Sequence, residues 1–195
     1  LQVGIARDNR EDLLAKFRAA SRADIVISSG GGSVGDYDLV KDIMAEVGSR
    51  IQFWRVAMRP GRPLAFGLLE GKPLFGLPGN PVSTMVSFEQ FIRPAILKMR
   101  GYRNLFRKAV RATMVEGYEK KVGLKYFLRA RVEMRDGKYV ASLTGEQGSG
   151  ILKSMVLANG LVVLPEDVAA VSPGDGVAVQ LLDDSLHLAA WPEYL

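Results

Sequence analysis

The densest cluster of glycines in the sequence lies between a short apolar segment and a segment with helical periodicity. Residues 28–36 read Ser-Ser-Gly-Gly-Gly-Ser-Val-Gly-Asp and follow the apolar run 25–27. A strand, a glycine loop and a helix in that order leave free backbone N–H groups where the helix begins, and the helix dipole favours an anion there. Glycine also lets the backbone approach such a ligand closely. We therefore predict an anion-binding loop that includes Gly30, Gly31, Ser33 and Gly35; an ordinary tight turn is the alternative.

A second loop of the same kind has the sequence Pro78-Gly79-Asn80-Pro81. It follows the apolar run 73–77 and precedes a segment with helical periodicity, in which Ser83 lies. Asn80 is a favourable N-cap residue and Pro81 a favourable first helical residue. In a parallel sheet both loops would lie at the carboxyl ends of strands, where ligands usually bind.

Three arginines, Arg55, Arg59 and Arg62, lie close together between the two loops. The forked donors of guanidinium groups match the oxygens of phosphate and other oxyanions. If residues 51–58 form one strand, alternation places Arg55 and Arg59 on the same side. We expect this cluster to bind an anion, and a solvated strand end is the alternative.

Two carboxylates, Asp36 and Asp38, follow the glycine loop. Among so many anion-binding groups they suggest Mg²⁺ bridging to phosphate oxygens, although Asp36 alone would also be explained as a helix cap. The serines near the loops have no histidine beside them, which argues against a serine nucleophile of acyl transfer.

The pattern Gly30-x-Gly32-x-x-Gly35 also matches the dinucleotide-binding motif. The acidic residue expected about twenty positions later is absent from the predicted strand 51–58. Because Arg55 or Arg59 could bind a 2′-phosphate, an NADP-dependent oxidoreductase remains an alternative. The phosphate loop of nucleotide hydrolases is excluded, since Asp36 stands where its lysine belongs.

The composition limits the class of protein. The chain has 195 residues, a formal net charge of +5, no cysteine and one histidine, so disulfides, thiolate metal sites and a histidine-rich zinc site are excluded. No apolar run is long enough to cross a membrane. Aromatic residues rarely alternate with basic ones, which argues against stacking on single-stranded nucleic acid. We expect a soluble, cytoplasmic protein that binds neither nucleic acid nor membranes.

The chain divides into two regions by its pattern of secondary structure. Strands, the first of them at residues 1–6, alternate with helices as far as residue 103, which predicts a layered α/β domain with a mostly parallel sheet. One long helix is predicted there, with an apolar stripe at residues 85, 88, 92, 95, 96 and 99. From residue 104 onwards short strands predominate, which predicts a small barrel or sandwich. The predicted strands of this region are residues 109–115, 126–134, 139–144, 155–158, 161–164 and 177–182. The predicted domains are thus 1–103 and 104–195.

The combination of residues 28–38, the segment Arg59-Pro60-Gly61-Arg62-Pro63 and the segment 76–83 resembles the molybdopterin molybdenumtransferase family, to which the gephyrin E domain belongs. The resemblance implies a molybdopterin-binding α/β domain, similar to MogA but without its first strand, followed by a C-terminal β-barrel. It also implies that the chain is a C-terminal portion, without the preceding domains that build much of a homodimer. A non-catalytic interaction module is a further alternative that the likeness to gephyrin allows.

The function implied by the resemblance is insertion of molybdate into adenylylated molybdopterin, with Mg²⁺ and release of AMP. Asp38 would match the family's essential acid, with Asp36 beside it, and both would hold the metal. The loop residues and arginines would bind the pterin ligand's phosphate and molybdate. Arginine stands where the family usually has lysine in the basic cluster, and Gly32 replaces a usual valine. The implied binding residues are Gly30, Gly31, Ser33, Gly35, Arg55, Arg59, Arg62, Pro78, Gly79, Asn80, Pro81, Ser83, Arg129 and Ser149.

Overall fold

The computed structural model describes residues 1–30 and 42–187. They belong to two compact units, one formed by Leu1–Val56 and Gly61–Arg93, the other by Ala57–Pro60 and Pro94–Leu195.

The described helices are α1 (Arg10–Ala20), α2 (42–46), α3 (Pro81–Ser87), α4 (Arg93–Met99) and α5 (Leu152–Val156). The described strands are β1 (Val26–Ser29), β2 (Arg50–Phe53), β3 (Met58–Arg59), β4 (Ala65–Leu69), β5 (Lys72–Leu77), β6 (Ala109–Met114), β7 (Tyr118–Glu119), β8 (Lys125–Arg135), β9 (Lys138–Leu143), β10 (Gly160–Leu164), β11 (Ala170–Val171) and β12 (Gly176–Leu181).

The described sheet of the first unit has the strand order β1-β5-β4-β2. Only β1 and β5 pair in parallel, whereas β4 pairs antiparallel with both β5 and β2. The predicted α/β class is confirmed, but the expectation of a mostly parallel sheet is wrong for the described strands. The reason is the turn between β4 and β5, where Glu70 and Gly71 both have positive φ, 51° and 79°. This geometry closes a two-residue hairpin, which forces antiparallel pairing.

Helix α1 begins as its sequence predicts. Asn9 is the N-cap, and its Oδ1 accepts a hydrogen bond of 2.9 Å from the backbone N–H of Asp12. The buried residues of the helix, Leu14 and Phe17, belong to a core cluster that includes Val26 of β1. The helix is therefore held by one capped end and one apolar face against the sheet.

Two predicted strands of the first unit differ from the structure. Residues 1–6 lie outside the strands, and Leu1 and Ile5 are almost fully exposed. The predicted strand 51–58 is divided into β2 and β3, which belong to different units. Between them the chain forms a loop in which the N–H of Val56 donates to the carbonyl of Arg62 at 3.1 Å. One apolar run can thus contain two strands that pair in different sheets, and hydrophobicity alone does not show where the first strand ends.

The long helix predicted after residue 80 is interrupted by a π-helical turn at Phe88–Ile92, between α3 and α4. The predicted stripe is partly wrong, because Met85, Phe88 and Met99 are exposed. The buried face instead contains small serines beside aliphatic residues, and the wider turn shifts the helical phase. Buried positions in this segment are Val82, Ser83, Val86, Ser87, Ile92 and Pro94. Gly101 ends the helix as predicted, with a φ of 80° and the hydrogen bonds of a Schellman motif.

The second unit contains a closed five-stranded β-barrel. Its strands follow the order β10-β12-β6-β9-β8, and an antiparallel pairing of β10 with β8 closes it. Strand β3 pairs in parallel with the start of β8. Asp136 and Gly137 form the predicted hairpin turn between β8 and β9. The predicted barrel is confirmed.

One predicted strand of this region is wrong, because residues 152–156 form helix α5. Met155 is buried whereas Val156 and Leu157 are exposed, which is the pattern of a short helix packed by one side. Among the described residues of both units, no helix is long and apolar enough to span a membrane.

Candidate functional site

The two predicted loops of the first unit lie side by side, because they follow neighbouring parallel strands. Ser29 of β1 is paired with Leu77 of β5. Beyond that pair, the N–H of Gly30 donates to the carbonyl of Leu77 at 3.4 Å, and the hydroxyl of Ser29 donates to the carbonyl of Pro78 at 3.3 Å. A Cβ atom on Gly79 would lie 3.5 Å from the Cα of Gly30. The carboxyl ends of β1 and β5 therefore bring the exposed residues Ser29, Gly30 and Gly79 side by side.

Gly30 has a φ of 105°. Side-chain-bearing residues rarely adopt this conformation. No atom outside its chain neighbours lies within 4 Å of the position where its Cβ would be. Glycine is therefore required here by backbone geometry rather than by crowding within the described residues.

The second loop leads into α3 with Asn80 at the N-cap and Pro81 as the first helical residue, as predicted. The side chain of Asn80 does not cap the helix. Instead, Thr84 closes the loop, since its hydroxyl donates to the carbonyls of Pro78 and Asn80. Gly79, Asn80 and Pro81 are exposed, whereas Ser83 is buried on the inner face of α3.

Five of the predicted site residues lie outside the described residues: Gly31, Ser33, Gly35, Asp36 and Asp38. Both predicted Mg²⁺ ligands are therefore among them. Within residues 1–30 and 42–187, no three histidine, cysteine, aspartate or glutamate side chains are grouped as metal ligands.

The three arginines are divided between the units. Arg55 and Arg62 are exposed in the loop between β2 and β4 of the first unit, whereas Arg59 lies in β3 of the second. The expectation that strand alternation places Arg55 and Arg59 on one side is wrong, because no single strand contains both.

Arg59 belongs to a cluster of cations and phenols in the second unit. It is paired with Tyr126 at the start of β8, and its Cζ lies 5.7 Å from the centre of the Tyr126 ring. The Nζ of Lys120 lies 5.1 Å from the same ring, and the Tyr118 ring lies 6.4 Å away. Two cations on one aromatic ring are each stabilised by cation–π attraction.

Tyr118 connects this cluster electrostatically with Arg129. Burial raises the pKa of Tyr118 above its ordinary value, and the neighbouring Tyr126 raises it further. Arg59 and Arg129 act in the opposite direction, because each positive charge stabilises the phenolate. Arg59 and Arg129, which are far apart in sequence, are therefore neighbours of one half-buried phenol.

The guanidinium group of Arg129 is completely buried. Its Nε donates to the hydroxyl of Ser154 at 3.0 Å, and its Nη2 donates to the carbonyls of Gly148 at 3.0 Å and Glu146 at 3.4 Å. None of these partners is a carboxylate, and Nη1 has no hydrogen-bond partner among the described residues. Burial lowers the pKa of Arg129, and Tyr118 opposes that effect.

Ser149 is half-buried in the same segment that Arg129 contacts. The structure thus associates Arg129 with Ser149 through the backbone of residues 146–148. Sequence reasoning did not identify Tyr118, Lys120 or Gln147 in this region. Their contacts join positions distant in sequence, and no local motif indicates them.

Comparison with known proteins decides the family. Residues 1–98 match the family described as "Probable molybdopterin binding domain", and residues 111–182 match the "MoeA C-terminal region (domain IV)". The chain belongs to the family of molybdopterin-binding domains that the first of these matches describes. The resemblance found from the sequence motifs is thereby confirmed.

Relatives and solved structures agree with this assignment. A molybdopterin molybdenumtransferase of Haemophilus influenzae is 37% identical over 92% of this chain and 45% of its own length. Molybdopterin molybdenumtransferase 2 of Mycobacterium tuberculosis is 37% identical over 83% of this chain and 41% of its own. The molybdopterin biosynthesis MoeA protein from Pyrococcus horikoshii superposes with a TM-score of 0.77 and 30% identity, covering 93% of this chain and 43% of that structure. The chain therefore spans less than half the length of these relatives.

Proposed function

We propose that the chain acts in molybdenum cofactor biosynthesis, in the insertion of molybdate into adenylylated molybdopterin with release of AMP. The homologues named molybdopterin molybdenumtransferase support the reaction class. The observation on which the proposal chiefly rests is the concentration of positive charge around Tyr118 and Tyr126, including a buried Arg129 that has no carboxylate partner in the part of the chain that the structure describes.

Molybdate is the substrate that this cluster suits best, because it is a compact oxyanion with two negative charges. Arg59 is exposed and Lys120 is half-buried, so both are accessible to a ligand from solvent. The nearby carboxylate of Glu166 pairs with Lys125 at 3.5 Å. Among the described residues, Lys120 donates only to the carbonyls of Leu124 and Glu166. The charge of Lys120 is therefore available to an anion.

The loops after β1 and β5 suit the phosphate-bearing part of the pterin ligand. Exposed backbone at the ends of two neighbouring strands, with glycine at both positions 30 and 79, allows a ligand to approach the main chain closely. The family match includes the glycine loop, which favours molybdopterin over a dinucleotide as its ligand. Arg55 and Arg62, exposed in the same unit, are proposed to contact the phosphates.

Mg²⁺ is proposed to be held by Asp36 and Asp38, which the described residues do not include. When bound, such an ion neutralises phosphate charge. The homodimer implied by the resemblance stays a prediction for the longer protein.

Equilibrium dialysis against molybdate, with the bound molybdenum quantified, tests the role of the cluster of cations and phenols around Tyr126. We expect the wild-type chain to retain molybdate and Arg59→Gln to bind it at least about tenfold more weakly, since a charge-assisted hydrogen bond contributes roughly 1.5–3 kcal/mol. Arg135→Gln is the matched control, because Arg135 is exposed at the far end of β8 and pairs with Glu133. No retention at millimolar molybdate, or equal losses in both variants, would contradict the proposal.

Calorimetric titration with AMP tests the loop region and the metal together. We expect Mg²⁺ to tighten AMP binding to the wild type and to have no such effect on Asp38→Ala. Asp42→Ala removes an exposed carboxylate four positions later and should behave as wild type. The same Mg²⁺ response in all three proteins would argue against Asp38 as a ligand.

A further inference from the structure

The side chain of Gln147 holds the backbone of Arg129, and the side chain of Arg129 holds the backbone on either side of Gln147. The backbone N–H of Arg129 donates to the Oε1 of Gln147 at 2.8 Å, and the Nε2 of Gln147 donates to the carbonyl of Arg129 at 3.2 Å. In return, the guanidinium group of Arg129 donates to the carbonyls on either side of Gln147, those of Glu146 and Gly148. We call this arrangement the Arg129–Gln147 clamp.

The clamp lies where the pairing of β8 with β9 ends. The final pair of that ladder joins Ala130 to Leu143. At the next position, the N–H of Thr144 still donates to the carbonyl of Arg129 at 3.1 Å. The N–H of Arg129 is bonded to the side chain of Gln147 instead. A glutamine amide has the donor and acceptor of a peptide group, so it prolongs the ladder beyond the end of the strand.

The segment after β9 depends on such side-chain contacts, because residues 144–148 form no regular secondary structure. Gln147 also donates to the carbonyl of Gly145 at 2.8 Å, and the hydroxyl of Thr144 donates to the carbonyl of Ser154 at 2.6 Å. Ser149 follows directly after the carbonyl of Gly148 that Arg129 binds. The backbone approaching Ser149 is therefore oriented by the clamp.

We propose that Gln147 is a positioning residue for the anion-binding site: it fixes residues 146–148, and through them Ser149, without contacting the ligand itself. This inference rests on the proposed function and on the ligand-binding role that the family resemblance implies for Ser149. It adds to that proposal a residue that acts only through the backbone of others.

The test replaces Gln147 by methionine, which has a similar length and cannot form the amide's hydrogen bonds. Gln180→Met is the control, since Gln180 is a half-buried glutamine on another barrel strand, β12. Hydrogen exchange should show the amide of Arg129 exchanging about fivefold faster or more in Gln147→Met, as expected for the loss of one hydrogen bond. The same amide should be unchanged in Gln180→Met.

Molybdate dialysis supplies the functional readout. We expect Gln147→Met and Ser149→Ala each to weaken binding, and the double variant to bind no more weakly than Ser149→Ala alone. Such non-additivity indicates that Gln147 acts through Ser149.

Several results would overturn the inference. They are unchanged exchange of the Arg129 amide, faster exchange without weaker binding, additive effects in the double variant, or equal losses in Gln180→Met. A wild-type chain that binds no molybdate would overturn the proposed function, and with it the binding role of Gln147. The exchange measurement would still show in that case whether the clamp orders the segment.

Discussion

The two units present their candidate ligand-binding groups in different ways. In the first, the ends of β1 and β5 present the glycines Gly30 and Gly79, and the hydroxyls of Ser29 and Thr84 bond to the backbone there, while the proposed phosphate ligands Arg55 and Arg62 lie in a separate loop. In the second, the groups are side chains of the barrel strand β8 and of β3, β7 and the residue after β7, and the barrel strand also carries a buried arginine and a glutamine clamp. A site made of backbone is specified by local sequence, whereas a site made of side chains is specified by the tertiary structure around it.

This difference has a consequence for mutation. Around Gly30, a substitution should act through backbone conformation and leave the core of the unit intact. Around Arg129, a substitution should affect stability and binding together, because the same group stabilises the segment and supplies charge. The following predictions test the contrast.

The largest effect is expected for Arg129→Ala. It leaves a cavity in place of a completely buried side chain and deprives the carbonyls of Glu146 and Gly148 of their donor. We expect a loss of about 3–5 kcal/mol in the free energy of unfolding of the barrel. The measurement is urea-dependent hydrogen exchange of barrel amides, which reports on the second unit separately.

Arg131→Ala is the control for this prediction, because Arg131 lies two residues further along β8 and is exposed. It should change stability by no more than about 0.5 kcal/mol. If Arg129→Ala proved as stable as Arg131→Ala, the cost of burying the charge would equal what its hydrogen bonds contribute. The description of Arg129 as a stabilising group would then be wrong.

A smaller effect is expected for Gly30→Ala. The φ of Gly30 is 105° and none of the described residues crowds the position of a Cβ there, so the cost is that of the backbone conformation, about 1–2 kcal/mol. Gly71→Ala, in the turn between β4 and β5, has a φ of 79° and equally open space. We expect similar losses of stability from both in thermal unfolding, but weaker AMP binding only from Gly30→Ala. If the two variants bound AMP equally well, the loop at Gly30 would not be part of the AMP-binding site.

The smallest effect concerns Tyr118 at alkaline pH. Its pKa in the folded protein is raised, chiefly by burial, so the unfolded chain loses this proton first as the pH increases. Stability is therefore unaffected below about pH 10, the ordinary pKa of tyrosine, and falls between that value and the pKa of the folded state. In Tyr118→Phe this part of the decline should be absent.

Ultraviolet absorbance of phenolate during an alkaline titration measures the same group directly. The wild type should show one tyrosine that ionises later than the exposed ones, and Tyr118→Phe should lack that step. If both proteins titrated identically, the phenol would be in contact with water rather than half-buried among Tyr126 and the two arginines.

Helix ends can be predicted from local sequence. Asn9 begins a helix, and Gly48 and Gly101 end helices, because caps depend on residues within one turn. The adjacency of Gly30 and Gly79 follows from the parallel pairing of two apolar strands. The direction of β4 was not predicted, although the Glu70–Gly71 turn already indicated a hairpin.

Features that depend on distant contacts could not be predicted. The apolar run 51–58 is divided between the two units, which its hydrophobicity does not show. The phase of the helix after Asn80 shifts at a π-helical turn. Arg129 was placed in the site by family resemblance alone. It interacts electrostatically with Tyr118 and by hydrogen bonds with Gln147 because β7 and the segment after β9 come near β8, which no periodicity shows.

Crystals of the chain soaked with tungstate, an isostere of molybdate that scatters X-rays strongly, would test the central claim most directly. The claim is that the Tyr118–Tyr126 cluster of the second unit binds a tetrahedral oxyanion. We predict an anomalous peak within hydrogen-bonding distance of Arg59, lost in Arg59→Gln and retained in Arg135→Gln. Peaks confined to other surfaces, or none at saturating tungstate, would contradict it.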